Sequence, residues 1–249
     1  MARGVWGAPR RRFSSGLACI IDLVIAAGVV VAVAVALHRL GKGAAADRER
    51  EARQRRIGAV GEARVALDLA RLGLPALRNV ILCDDARSVE LDHDVRLRSG
   101  IVVLETKTLR GVITGTLDGA QWTQRKQWAG EIKVRCLVNP VLQNRAHVRA
   151  LEAFVGDRRV PVWGVVVSTG SASFAPEIAD EIVGVDDLGW VLSAASAEAD
   201  PRSLEAAWRR LEREAGKSPG RRAAHAAHVR KVRRQLFWNR WEGMRSSRA

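Results

Sequence analysis

Cysteine is nearly missing from this chain. Cys19, Cys83 and Cys136 are the three in 249 residues, and no two form a Cys-x-x-Cys pair. That spacing excludes a disulfide scaffold and a cysteine zinc cluster. Cys19 stands in an apolar run and the other two in strand-like segments, so all three read as small buried thiols in a reducing compartment. The histidines (His38, His93, His147, His225, His228) make no His-Glu-x-x-His zinc motif. No Gly-x-x-x-x-Gly-Lys-Ser/Thr loop is present, Gly41-Lys42-Gly43 reading as linker, and no Gly-x-Ser-x-Gly elbow. P-loop and serine-hydrolase chemistry are excluded with them. There is no internal repeat. What remains, 47% hydrophobic and 27% charged, is a globular composition long enough for one domain with tails.

Negative charge is scarce at both ends. Residues 1–56 hold 11 Lys+Arg and 4 Asp+Glu, a net of +7, and residues 217–249 hold 10 Lys+Arg and only Glu242, a net of +9. The stretch 57–216 carries 20 positive and 22 negative side chains, a net of −2. A near-neutral body with two basic tails is not the footprint of a domain that binds nucleic acid through a broad basic face. The tails suit an anionic surface, lipid headgroups or a phosphate backbone, and composition alone does not choose.

Residues 17–37, LACIIDLVIAAGVVVAVAVAL, carry one charge, Asp22. As a helix they extend about 30 Å, enough for a bilayer core. Twelve are Leu, Ile or Val, together worth on the order of −5 kcal/mol on the insertion scale, against roughly +3 for a central Asp. The expectation is therefore a transmembrane helix over 17–37. It follows a basic segment, 1–16, and precedes a charged linker or helix, 38–56. A cleaved signal peptide is the rival, since Arg10-Arg11-Arg12 precedes the run and Ala34-Val35-Ala36 resembles a cleavage site. Flanking arginines nearly balance, so the positive-inside rule does not orient it.

The body, 57–216, opens with a helix carrying Gly58, Glu62, Val65, Leu69 and Leu72 at helical spacing and ended by Gly73 and Pro75. Strands are expected over 79–83, 89–97 and 101–108, with Arg98-Ser99-Gly100 turning the last two into a hairpin. A glycine-rich stretch (Gly111, Gly115, Gly119), the segment 122–128 and a strand over 132–138 follow. Asn139-Pro140 supplies N-cap and N1 for a helix to about Val155. Strands over 161–168 and 181–185 and helices over 186–194 and 203–216, the latter capped by Ser203, complete a mixed α/β pattern.

Charged residues interrupt a core pattern in IVVLETKT, where Glu105 and Lys107 share one strand face. If Leu97 and Gly100 close the hairpin, Asp92 lies opposite Glu105 or one register step away. Two carboxylates across a sheet repel unless a cation sits between them, and a hard divalent ion meets that need. Glu62 falls on the apolar stripe of the first helix, with pairing to Arg55 or Arg64 as the plain alternative. Gln143 stands in the first turns of the helix after Asn139-Pro140, where it could equally be a polar rim residue.

Taken together, Gly61-Glu62, Glu90-Leu91-Asp92-His93, Glu105-Thr106-Lys107 and Asn139-Pro140-Val141-Leu142-Gln143-Asn144 resemble the motif series of the nuclease-related domain (NERD) family. That family is a branch of the PD-(D/E)-x-K nucleases, and the likeness covers about 57–170. It implies a restriction-endonuclease-like mixed sheet flanked by helices. It also implies Mg²⁺ (or Mn²⁺) held by Asp92, Glu105 and the carbonyl of Thr106. Lys107 would position the attacking water, Glu62 would orient it or support a second ion, and Gln143 would bond Lys107 or a phosphate oxygen. One departure stands out: Asp94 and Arg96 occupy positions where the resemblance leads one to expect apolar residues. Alternating with Val95 and Leu97, they read as a more exposed strand edge.

The tail, 217–249, reads as a basic amphipathic helix ending in Trp238 and Trp241, suited to a membrane interface or to phosphates and bases, or else packed on the body. The function expected is a membrane-anchored, metal-dependent nuclease acting on phosphodiester bonds, with DNA ahead of RNA as substrate and the body in the cytoplasm. The alternative is a non-catalytic nucleic-acid- or membrane-binding protein on a nuclease-like fold. Sequence gives no oligomeric state.

Overall fold

The computed structural model describes residues 48–83, 88–196 and 198–246. The expected basic segment 1–16, the span 17–37 and most of the linker 38–56 lie outside the described residues. So do the side chains of the tail aromatics. Among the described residues no helix is long and apolar enough to cross a membrane. The chain divides into two units, 1–55 and 56–249. Of the first, residues 48–55 are described, and they are helical.

In the second unit, α1 covers residues 56–71. Its end is set by Gly73, whose φ of +66° suits a residue without a Cβ. The Gly73 N–H reaches the carbonyl of Ala70 at 3.1 Å and the Leu74 N–H that of Leu69 at 3.1 Å, the paired bonds of a Schellman motif. Then come β1 (Ala76–Cys83), β2 (Ser88–Leu97), β3 (Gly100–Lys107), β4 (Arg110–Thr114), β5 (Gln121–Trp128) and β6 (Glu131–Val138). Helix α2 (Pro140–Val155), β7 (Val162–Ser168), β8 (Ser171–Phe174), α3 (Pro176–Ala179) and β9 (Ile182–Gly184) follow. A 3₁₀ turn (Val185–Asp187), α4 (Leu188–Ser193) and α5 (Pro201–Ser246) complete the order.

The strands form two mixed sheets. The first, β1-β2-β3-β7-β9, is antiparallel through β3 and parallel beyond it; the second runs β6-β5-β4-β8. One face of the first sheet packs Val80, Leu91, Ile101 and Val103 against Leu151 of α2 and Leu204, Trp208 and Leu211 of α5. The other packs Val95, Val102, Leu104 and Val167 against Val65 and Leu69 of α1 and Leu188 of α4. Ile113 and Trp122 of the second sheet meet Val141, Val166 and Ile178 in a third cluster.

Several expectations are corrected here. The glycine-rich stretch contains β4, which with β5, β6 and β8 makes a second sheet that the sequence pattern did not reveal. Cys83 and Cys136 are exposed free thiols rather than buried ones, because β1 and β6 are edge strands. Leu72 is 47% exposed, lying past the helix end rather than on its inward stripe. The cap of α5 is Asp200, whose carboxylate accepts from the Ser203 N–H at 2.8 Å, with Pro201 at the first helical position. Helix α5 also runs past residue 217 without a break and covers the β1 edge. There the Ile81 N–H donates to the Ser218 hydroxyl at 2.8 Å, and the Arg221 guanidinium donates to the Ile81 carbonyl at 3.0 Å. An unpaired edge is thereby closed.

Candidate active site

The hairpin β2–β3 pairs from Leu97 with Gly100 to His93 with Leu104. Extending that register makes Asp92 and Glu105 the next pair, and there the ladder stops. On the other side of β2 the ladder with β1 skips from His93 to Leu91, opposite Asn79, which has a φ of +52°. Both ladders of β2 are therefore interrupted at Asp92. Its carboxylate takes the place of a backbone acceptor: Oδ2 accepts from the Thr106 N–H at 2.9 Å. In a strand the N–H and C=O of one residue face the same neighbour, so the Thr106 carbonyl is turned to the same side. The Lys107 carbonyl faces away, accepting from the Thr169 N–H at 3.1 Å.

Glu105 is 1% exposed. Its Oε1 accepts from Lys107 Nζ, and Lys107 Nζ also donates to Gln143 Oε1 at 3.1 Å. The second oxygen, Oε2, lies 3.1 Å from His147 Nδ1, close enough for an ion pair but off the line of a hydrogen bond, and neither atom has another partner. Gln143 and His147 are one helical turn apart and so share a face of α2. The phase of that face is fixed by Asn139. Its Oδ1 accepts from the Val141 and Leu142 N–H groups, while its Nδ2 donates to the carbonyls of Leu117 and Gly119 at 2.9 and 2.8 Å.

Glu62 reaches the same region from α1. Its neighbour Gly61 is in contact with the ends of β3 and β7: a Cβ there would fall 2.1 Å from Thr108 Oγ1 and 2.5 Å from Thr169 Oγ1. Those two hydroxyls are hydrogen-bonded to each other at 2.8 Å. Any side chain at position 61 would lever α1, and Glu62 with it, away from the strand ends. Glu62 is half-buried and makes no ion pair with Arg64. Arg64 instead pairs with Asp186 at 2.7 Å.

The electrostatics separate the two central carboxyls. Burial, with Glu105 as a like charge nearby, pushes Asp92 up to about 7 against the opposing Thr106 N–H and Lys107. For Glu105 burial acts upward too, but His147 and Lys107 outweigh it and hold the group below the ordinary carboxylate range. Glu62 is raised, chiefly by burial, with Arg78 opposing and Glu90 and Glu105 adding to the rise. Near neutral pH Asp92 is therefore about half-protonated, and a cation could replace that proton.

Among the described residues no three His, Cys, Asp or Glu side chains gather closely enough to hold an ion. The donors at the break are two carboxylates and one carbonyl, all oxygen. That set fits Mg²⁺, which binds through one or two carboxylates and keeps several waters. Glu105 Oε2, which makes no hydrogen bond, and the Asp92 carboxyl are the groups such an ion would satisfy.

Each residue anticipated from sequence (Glu62, Asp92, Glu105, Thr106, Lys107, Gln143) lies at this break or on a helix bordering it. His147 was not anticipated; its position four residues after Gln143 was the available signal. Asp94 corrects the reading of an exposed strand edge. It is fully buried without a hydrogen-bond partner, because β2 lies between β1 and β3, opposite Leu77 and Val103. Burial, then Asp92, raises its carboxyl well above the usual range. Arg96 is half-exposed and pairs with Glu205 at 2.7 Å. His93 is also fully buried; burial and Arg78 lower it to about 4, which keeps the ring neutral.

Comparison with protein families matches residues 57–169 to the nuclease-related domain (NERD). Neither the curated proteins nor the solved structures give a match.

Proposed function

We propose, from the match of residues 57–169 to the nuclease-related domain, that the chain is a metal-dependent nuclease hydrolysing phosphodiester bonds, in DNA before RNA. The observation that carries the reading is the assembly at one strand break of Asp92, Glu105 and Lys107, tied to Gln143 across the sheet–helix interface.

Asp92, Glu105 and the Thr106 carbonyl would hold Mg²⁺ or Mn²⁺. Such an ion supplies charge that polarises a phosphoryl oxygen and makes water more acidic. Lys107, with two of its N–H bonds taken by Glu105 and Gln143, has a third to give to the incoming water or to a phosphate oxygen. It offsets negative charge as the transition state forms. Gln143 and Glu105 together hold the ammonium group in place. Glu62, with its carboxyl raised, is suited to accept a hydrogen bond from the water and orient it. Hydrolysis adds the water's hydroxyl to phosphorus, breaks the bond to the leaving sugar oxygen and passes the proton to that oxygen.

The apolar run 17–37 anchors the chain in a membrane as a single pass. The body then lies on the cytoplasmic side, where nucleic acid is found and where exposed thiols such as Cys83 and Cys136 stay reduced. The basic tail binds anionic lipid or nucleic acid.

The test is cleavage of single- and double-stranded DNA and of RNA by the full chain with Mg²⁺ or Mn²⁺, against the same mixture with chelator. Metal-dependent cleavage that Asp92→Ala loses supports the enzyme. Wild type that cuts nothing, and behaves as Asp92→Ala does, leaves the non-catalytic binder on a nuclease-like fold.

A further inference from the structure

Helix α5 turns a row of arginines to solvent along its first three turns. Leu204, Ala207, Trp208 and Leu211 form its buried face. Arg202, Ala206, Arg209 and Arg213 recur every three or four residues on the other side. With Arg210 and with Arg96 of β2 they line an open groove of about 740 Å³.

Three of the five arginines are held in place. Glu205 is shared, its Oε2 2.7 Å from Arg96 Nη2 and its Oε1 accepting from Arg209 Nε at 2.6 Å. Arg210 lies 4.8 Å over the Phe154 ring and donates to the Phe154 and Val155 carbonyls. Arg202 and Arg213 make no ion pair among the described residues. Five arginines and one carboxylate thus line the groove, inside a stretch that is −2 as a whole. Guanidinium does not lose its charge at any working pH, and its fork matches phosphate oxygens. Several fixed positive charges in one groove call for a ligand that offers several phosphates in series, which a single lipid headgroup does not.

Arg96 stands four residues from Asp92 on β2, about 13 Å away at some 3.3 Å per residue. That distance is the rise of about four nucleotides at some 3.4 Å each along one strand of a duplex. Resting on the nuclease reading above, we propose that the groove between α5 and β2 is an exosite for the phosphodiester backbone of the substrate, gripping it about four nucleotides from the phosphate presented to Asp92 and Glu105.

The test uses the full chain in nonionic-detergent micelles, with chelator present so that nothing is cut. A fluorescent oligonucleotide, single-stranded or duplex, is titrated by anisotropy over a range of salt. Arg202→Ala/Arg213→Ala removes the two arginines without an ion pair, so the fold is not disturbed. Affinity should fall about tenfold at physiological ionic strength. The slope of log K against log salt should become shallower by about 1.4 for a single strand or 1.8 for a duplex, two phosphate contacts' worth. Arg71→Ala/Arg158→Ala, an equal loss of formal charge elsewhere, should leave the slope unchanged.

With Mg²⁺ the double variant should need about tenfold more oligonucleotide than the wild type for half-maximal cleavage. Absence of cleavage by the wild type counts against the nuclease reading; an unchanged salt slope beside intact cleavage overturns the exosite alone. Failure of the wild type to bind the oligonucleotide also overturns it. So does a variant that binds the oligonucleotide normally but loses attachment to micelles containing phosphatidylserine, which would give the groove to lipid.

Discussion

Glu105→Gln should lower Mg²⁺-dependent cleavage by about three orders of magnitude or more, roughly 4 kcal/mol of lost transition-state stabilisation. The substitution keeps shape and volume in a position that is 1% exposed. It removes the charge to which both Lys107 and His147 are turned and leaves Asp92 as the one ionisable ligand at the break. Lys107→Ala should cost a comparable factor by another route. Glu105 remains beside His147, but Gln143 loses its partner and no cation is left to meet charge developing on the phosphate. Initial rates at saturating metal, compared beside unfolding curves that show both variants folded, check this. Cleavage within tenfold of wild type by either variant would place the chemistry elsewhere.

The second large effect is on stability and has the opposite sign. Asp92 titrates near 7 in the folded protein against an ordinary value of 3.8, with burial as the main cause and Glu105 next. Between those two values the folded chain binds more protons than the unfolded one, so folding weakens as pH rises through about 4 to 7 and levels off above. The full shift corresponds to a penalty of about 4 kcal/mol at most. Asp92→Asn keeps an acceptor for the Thr106 N–H and removes the titration. Without divalent metal, the variant should match wild type near pH 4 and exceed it by about 2–4 kcal/mol at pH 8. The lowered pKa of Glu105 gives a pH dependence of the other sign, shared by both proteins, so it cancels in the comparison. Urea unfolding with chelator at several pH values measures the difference. A difference that does not grow with pH would mean that Asp92 is not held against its charge. On the metal-site proposal, Asp92 would weaken the fold until a cation arrived, the usual trade between stability and function.

The register of the site was legible because one turn fixes it. Once Leu97 and Gly100 close the hairpin, Asp92 and Glu105 must be adjacent, and the ladder has that register. Asn139-Pro140 likewise set the phase of α2, and with it the position of Gln143, through a cap that depends on two residue types alone. The second sheet was hidden because β4 is short and glycine-bearing. Its partner β8 lies some sixty residues on, and no local pattern announces a parallel pairing of that span. Asp94 was misjudged for a related reason. Alternation of polar and apolar residues reports a half-exposed strand only when nothing covers the polar face, and here the neighbouring strands and helices do. The tail was divided from the body by its charge. Contacts such as Ser218 with Ile81 and His225 with Ser88 arise from where a long helix happens to pass, which composition does not record. The arginine groove escaped notice because net charge over a whole segment averages away a local excess.

The central claim, that Asp92 and Glu105 share a divalent cation, is tested most directly by calorimetric titration of Mn²⁺ into the full chain in buffers of different ionisation enthalpy. Wild type should bind the ion with release of about half a proton near pH 7, as Asp92 gives up the proton it half-holds there. Affinity should climb as pH rises to about 8, and neither Asp92→Asn nor Glu105→Gln should bind comparably. Binding without proton release, or binding that Asp92→Asn retains at full strength, would contradict the account.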